Sequence, residues 1–342
     1  ATEGAVIPYA VGVDIACRMK LTVLDPPPED LDRRAERFIR AIEMETRFGV
    51  GAAFERGRRE HPVLDEDWRV SPVTAANRDR AAAQLGTSGS GNHFVEFGVF
   101  EPRKSDLGLE QRPYVALLSH SGSRGAGAAV CEHYSRIAAR RHPELDGERR
   151  RLAWLDLDSD EGQEYWAAME LMGRYAAANH DLIHEHVLRR LGAAVLFAAE
   201  NHHNFAWRER HVIAGRERDV IVHRKGATPA GAGQLGVIPG SMAAPAFLTR
   251  GLGNPASLRS AAHGAGRVMS RAQARRTLTW DDLRSRLRRR GVTLLSAGLD
   301  ESPSVYKDIE TVMAAQQDLV EIVGRFDPRI VKMAGANERP ED

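Results

Sequence analysis

The chain has 342 residues, of which 42% are hydrophobic and 28% charged, enough apolar material for one large domain or two. A formal net charge of +1 excludes a generic polyanion binder, and no apolar run reaches the length of a membrane span. Two cysteines, Cys17 and Cys131, make no disulfide framework and the first residues do not resemble a signal peptide, so the expected location is the cytoplasm.

Residues 5–24 are rich in β-branched and small side chains and read as strands around a turn. The spacing of Leu31, Phe38, Ile39 and Ile42 predicts a helix over 29–47. A polar, proline-bearing region follows to about residue 80. Strands are expected at 92–100 and 113–120, helices at 125–142 and 160–192, and strands again over 193–224. Residues 226–240 are too dense in glycine and proline for a regular element. Helices are expected at 256–275, 279–290 and 304–325, with a polar tail at 336–342. No internal repeat or linker interrupts motifs that run from residue 14 to residue 332. One intertwined α+β domain over residues 1–342 is the economical reading.

Several short stretches carry chemistry. GVDIAC places Asp14 and Cys17 three residues apart, where a turn can bring carboxylate and thiolate to one side. In GTSGSGNHFVEFG, Asn92, His93 and Glu96 follow a run of small residues. His93 and Glu96 would lie on opposite faces of an ideal strand, so serving one site requires a bend. LSHSGSRG offers His120 at a strand end and Ser121, Ser123 and Arg124 before a helix, a candidate cradle for an anion. ENHHNFAW contains His202 and His203, of which one strand face presents only one. GAGQLG, within 222–242, matches a dinucleotide fingerprint literally but precedes Val-Ile-Pro rather than a helix, so that reading fails. HGAGRVMSR, residues 263–271, sets His263 against small residues, with Arg267 and Arg271 placed to share a helical face. A metal, a phosphate or a covalent bond would each suit such a histidine.

His93, His120, His203 and His263 each read as a hydrogen-bonded structural histidine or as a ligand. His180, His184 and His186 are expected on an exposed helix face. His61, His133, His142 and His211 sit in charged, exposed stretches. Lysine occurs only at 20, 104, 225, 307 and 332. None begins the K-x-D-G of a lysine-dependent ligase, and there is no P-loop.

Taken together, VGVDIAC, GTSGSGNHFVE, HSGSRG, NHHNF, VHRKGA, IPGSM, HGAGRVMSR, YKDI and the late VK resemble the RtcB-type RNA-splicing ligases, in family order across nearly the whole chain. The resemblance implies an α+β fold with sheets around a central metal and nucleotide cleft and helices outside. It implies a GTP- and Mn²⁺-dependent ligase joining RNA 3′-phosphate or 2′,3′-cyclic phosphate ends to 5′-hydroxyl ends. The route it implies runs through a histidine–GMP intermediate and an RNA 3′-diphosphoguanosine. Two Mn²⁺ ions would be held by Asp14, Cys17, His93, His120 and His203, with zinc as a competitor for such donors. His263 would be the catalytic nucleophile. The guanine nucleotide would be held by Asn92, His93, Glu96 and Asn204, by Pro239, Gly240, Ser241 and Met242, by Gly264, Ala265 and Gly266, and by Tyr306 and Lys332. Arg124, Lys225, Arg267 and Arg271 would contact RNA phosphates. An activating protein is a possible partner. Two other readings are guanylyl capping of 3′-phosphate ends without joining, and a non-catalytic RNA-end binding protein.

The chain departs from the family pattern in places. An upstream Asp-x-His-x-Gly-Lys-Gly stretch is not present before ATEGAVIP. Arg18 stands where many relatives have glycine, Ala246 where a serine is expected, and Lys332 is followed by Met-Ala-Gly. These differences resemble a side branch devoted to RNA repair rather than tRNA splicing.

Overall fold

The computed structural model describes residues 1–336 and 338, so most of the expected polar tail lies outside the described residues. The chain opens with β1 (Ala5–Val6), one turn of helix, α1 (Pro8–Val11), and β2 (Arg18–Leu24). The helix expected at 29–47 is split into α2 (Asp30–Arg33) and α3 (Ala35–Glu45), the second burying Phe38, Ala41 and Ile42. The polar region also holds a helix, α4 (Pro72–Gln84), started by reciprocal Ser71–Thr74 capping and Pro72 in its first turn. Next come β3 (Phe94–Pro102), β4 (Tyr114–Ser121), α5 (Arg124–Arg141) and β5 (Leu155–Asp156). The long α6 (Asp160–Leu191) runs from its Ser159 cap to Gly192 in the left-handed region. β6 (Val195–His202), β7 (Phe205–Ile213) and β8 (Arg216–Arg224) fill the stretch expected to be strands.

The second half corrects the sequence reading three times. Residues 226–240 do contain strands, β9 (Ala227–Pro229) and β10 (Leu235–Ser241). β10 is an edge strand paired only with β11 (Ala244–Gly251), which is where Pro239 is tolerated. Residues 256–275 are not one helix: β12 (Ser260–Ala262) pairs with β9, and α7 begins only at Arg271 (Arg271–Thr277). After α8 (Trp280–Arg290) and β13 (Thr293–Ser296), the helix expected at 304–325 shrinks to α9 (Ile309–Ala314). The rest enters β14 (Val320–Met333), whose alternating Val320, Ile322 and Gly324 pair across to β11.

The main sheet runs β10-β11-β14-β3-β4-β2-β6, antiparallel throughout, with β13 added parallel to β14. Period-2 alternation sends Met19, Leu21 and Val23 into one face with Phe100, Leu118, Leu248 and Phe326. The other face packs Val95, Phe97 and Leu117 against Phe38 of α3 and Ile183 and Val187 of α6. The sheet curls into a half-barrel until its edge strands approach. There Asn201 of β6 accepts from the Val237 N–H of β10 at 2.7 Å and donates to Thr228 Oγ1 at 2.8 Å. The architecture is the α+β class that the sequence implied. No helix among the described residues is long and apolar enough to cross a membrane.

α6 packs against both the sheet and α5, which buries two of the histidines expected on an exposed face, His180 and His184, and leaves His186 half-buried beside Arg59. His184 bridges Thr22 Oγ1 (2.8 Å) and Ser119 Oγ (2.9 Å), and His180 reaches the same Ser119 hydroxyl. His211, also expected exposed, is buried beside Glu209 at 2.6 Å.

Removing the amide that joins the two sheet edges leaves the Val237 N–H buried without an acceptor, a loss of about 1–3 kcal/mol. Asn201→Ala is therefore expected to lower the unfolding free energy by that amount, seen by circular dichroism as a lower urea midpoint at an unchanged slope.

Candidate metal and nucleotide site

Four neighbouring strands of an antiparallel sheet alternate in direction, so the start of one lies beside the end of the next. Cys17 precedes β2, His93 precedes β3, His120 is the next-to-last residue of β4, and His203 follows β6. All four therefore hang from the same end of the sheet. Ala16, in the left-handed region, and the Cys17 N–H bond to the Asp14 carbonyl form the turn that adds Asp14 to the group. His93 sits before β3 rather than in it, which removes the opposite-face difficulty with Glu96.

Cys17 Sγ lies 3.3 Å from His93 Nε2 and 3.1 Å from His120 Nε2. His120 Nε2 is 3.3 Å from His203 Nε2, and His93 Nε2 is 3.0 Å from Asp14 Oδ2. Every one of these side chains is buried. Burial pushes His120 down to about 3 and His203 well below its ordinary value, so both are neutral at pH 7. His120 Nδ1 lies 3.1 Å from the Asn92 carbonyl, which can only accept. The proton is thus on Nδ1, and Nε2 turns a lone pair toward the thiol and the facing imidazole. Asp14 stays ionised: burial works to raise its pKa, but His93, Cys17 and Arg124 hold it at about 2. Converging lone pairs on N, S and O, with a carboxylate beside them, are the donor set of a cation site; Cys17, His93 and His120 form the tightest such group among the described residues.

The expected anion cradle at the start of α5 is filled from within the protein. Asp14 Oδ1 accepts from the Ser123 N–H at 2.9 Å and lies 3.3 Å from its hydroxyl. Gly122 leaves room for this approach, since a Cβ there would collide with the Asp14 carboxylate. Gly89, at φ +94°, likewise lets the 86–91 loop close over Arg124 and His93. Arg18 turns its guanidinium to Glu200 at 3.3 Å.

Beside the donor cluster lies a cavity of about 260 Å³. One wall is Asn92, Phe94 and Glu96 from the start of β3; another is the β10–β11 corner, Pro239, Gly240, Ser241 and Met242. The third is the loop His263, Gly264, Ala265, Gly266 and Arg267, closed by Glu301 and Tyr306. This loop is not helical. It is pinned by Ala265 N–H to Pro239 O (3.1 Å), Lys307 N–H to Gly266 O (2.9 Å) and Val268 N–H to Val305 O (2.7 Å). His263 stacks beside the cluster, its ring centroid 4.7 Å from that of His203. Burial lowers the His263 pKa while a hydrogen bond with the Gly226 backbone acts the other way. Burial raises the Glu96 carboxyl well above its ordinary range.

Arg267 and Arg271 do not share a helix face. Arg267 donates to the Asp300 carbonyl at 2.7 Å, and Arg271 pairs with Asp300 at 3.1 Å and with Glu301. Tyr306 donates its hydroxyl to Glu301. Asn204, Lys332, Arg124 and Lys225 do not line this cavity. Asn204 donates to the Asp14 carbonyl at 3.2 Å, and Lys332 lies toward Phe48. Arg124 is buried under the 86–91 loop, donating to Thr87 Oγ1 and the Gly49 carbonyl, and Lys225 covers Tyr9. Sequence reasoning missed Phe94, Glu301 and Met333 as lining residues. Phe94 stood inside a motif already singled out, whereas Glu301 gave no local signal.

A half-barrel whose strand ends gather N, S and O donors beside a partly polar cavity is a candidate metal centre with room for a small molecule next to it. The chain matches the family described as "tRNA-splicing ligase RtcB" over residues 59–334. It is similar to the RNA-splicing ligase RtcB of Escherichia coli, at 34% identity over 94% of this chain and 82% of the relative. The RNA-splicing ligase RtcB of Mycobacterium tuberculosis is 32% identical over 95% and 89%. The tRNA-splicing ligase RtcB of Nanoarchaeum equitans is 30% identical over 94% and 81%. The chain belongs to the RtcB family.

A thiolate–metal bond has an optical signature. Adding cobalt(II) is expected to produce a near-ultraviolet sulfur-to-metal charge-transfer band that Cys17→Ser abolishes and Cys131→Ser retains.

Proposed function

We propose that this chain is a GTP- and Mn²⁺-dependent RNA ligase that joins 3′-phosphate or 2′,3′-cyclic phosphate ends to 5′-hydroxyl ends. One observation carries the reading: a neutral histidine, His263, lies on the wall of a cavity directly beside a buried N, S and O donor cluster. Asp14, Cys17, His93, His120 and His203 would hold two Mn²⁺ ions, which supply charge to polarise phosphate oxygens.

The chain's own residues account for the rest. A ring nitrogen of His263 that donates to Gly226 leaves the other as a lone pair for attack on the α-phosphorus of GTP. A phosphorus–nitrogen bond forms, the bond to the bridging oxygen breaks, and pyrophosphate leaves. An oxygen of the RNA 3′-phosphate then attacks the same phosphorus, breaking that bond and giving an RNA 3′-diphosphoguanosine. Attack of the 5′-hydroxyl on the RNA phosphate releases GMP and closes the phosphodiester. Loop pinning on both sides holds the His263 ring in place for both transfers of the guanylyl group.

Guanine presents N1–H and an exocyclic amine side by side, two donors that one carboxylate accepts. Glu96, a buried carboxyl that ionises as it takes those two donors, is the acceptor for that edge, and Phe94 and Tyr306 supply aromatic surface for the base. Adenine offers an acceptor at N1 and is rejected. The backbone of Gly264 and Gly266 lets the nucleotide lie close to the loop. Arg267 and Arg271, held by Asp300 and Glu301, set positive charge near the phosphates.

GTP labelled at its α-phosphate, with Mn²⁺, is expected to leave an acid-labile, alkali-stable label on the protein that His263→Ala eliminates. Labelling that survives this substitution sinks the nucleophile assignment. Adding RNA with 3′-phosphate and 5′-hydroxyl ends then separates joining from capping alone. Glu96→Gln is expected to lower labelling by GTP at least tenfold and to narrow the preference over ATP, measured by competition.

A further inference from the structure

A second concavity, of about 630 Å³, shares Ser241, Ala244 and Tyr306 with the nucleotide cavity and opens from it. Its wall carries four cations, Arg286, Arg289 and Arg290 of α8 and Lys307. Among the described residues, Arg286, Arg290 and Lys307 have no carboxylate within ion-pairing distance, and Arg289 donates only to Ser285 Oγ at 2.9 Å. The acid on this wall, Asp308, is already engaged as the cap of α9, accepting from the Glu310 N–H at 3.0 Å.

This charge is not explained by the fold alone. A helix C-terminus favours cations in its last turn, which covers Arg289 and Arg290 but not Arg286, a turn earlier. Nor does it cover Lys307, which arrives on a separate segment. Arg286 and Arg290 are four residues apart, so like charges face each other on one side of α8 and repel. The groove is also fixed to the nucleotide site. Leu283 and Leu287 seat α8 on Met242 and Ala243, and the Lys307 N–H holds the Gly266 carbonyl. A compact anion is bound by converging donors; here the cations follow a trench, with Arg286 and Arg290 roughly 6 Å apart along the helix axis.

The geometry points to this groove as a track for the phosphodiester backbone of a single RNA strand, leading to the Ser241 and Tyr306 end of the nucleotide cavity. That the strand is RNA rests on the ligase reading; the demand for a chain of phosphates rests on the groove itself. Each cation that neutralises a phosphate of a single strand contributes about 0.7 to the slope of log affinity against log salt.

The test is fluorescence anisotropy with a labelled single-stranded RNA bearing 3′-phosphate and 5′-hydroxyl ends, across a salt series and without GTP or metal. The Arg286→Gln, Arg290→Gln double variant is expected to bind more weakly, with the slope shallower by about 1.4. The Arg284→Gln, Arg288→Gln double variant changes the same charge on the same helix outside the groove and is expected to keep the original slope. Thermal unfolding of both variants checks the fold. Equal losses in the two doubles, no change in either, or no RNA binding by the unaltered chain would each overturn the assignment. Labelling of His263 by GTP reads the ligase proposal separately, so either can fail while the other stands.

Discussion

His120 and His203, both neutral, sit with His93, a thiol and a carboxylate within hydrogen-bonding distance of their neighbours, out of water, and a cation would compensate the lone pairs they turn inward. Much of this half of the molecule serves that convergence. The strand order β3-β4-β2-β6 brings the four donor-bearing strand ends together, the Ala16 turn adds Asp14, and the Asn92 carbonyl sets the His120 tautomer. Even the start of α5, with backbone N–H groups suited to an external anion, is turned inward onto Asp14. The buried polar network behind it, His180 and His184 against Ser119 and Thr22, fixes the strand that carries His120.

The cavity beside this cluster, proposed to take the nucleotide, is built on a different logic. Its walls are backbone and small residues held by long-range main-chain hydrogen bonds, with a few charged groups placed where they have partners or are forced neutral. Glu301 illustrates this: burial raises its pKa, yet it accepts from Tyr306 and pairs with Arg271. Asp300 and Glu301 together orient Arg267 and Arg271, so each arginine enters the site already held. Outside the cavity, along α8, Arg286 and Arg290 are left without a carboxylate partner among the described residues.

Much of this was legible in the sequence where the signal is local. Histidines flanked by Gly, Ser or Asn stand at strand ends, and the small-residue runs around them do form close-packed loops. What failed depended on distant chain. The helical periodicity through His263, Arg267 and Arg271 was illusory, because residue 239 and residues 305–307 hold that loop extended. The charges flanking α6 implied an exposed face for its histidines, but the sheet covers His180 and His184. Pro239 and the glycines of 226–240 argued against a strand, an argument that holds for a central strand and not for an edge. Glu301 carried no motif, and in β14 only the terminal Val331–Lys332 did, which gave no sign of a long strand.

β14 has a consequence for how the molecule is made. Among the described residues it is the last strand in the chain, yet it lies in the middle of the sheet, between β11 and β3. A ribosome delivers β2, β3, β4 and β6 well before it, so the donor cluster can gather while synthesis continues. The nucleotide walls on β10 and β11 have no ladder to that nascent half until residues 320–333 emerge and insert between them. Until then the packing of β10 against β6 and β2, with the Asn201 hydrogen bond in it, is what spans the two parts. The histidine that would carry the nucleotide is thus translated before the strand that seats its pocket, and the pocket walls join the sheet ladder only when that strand inserts.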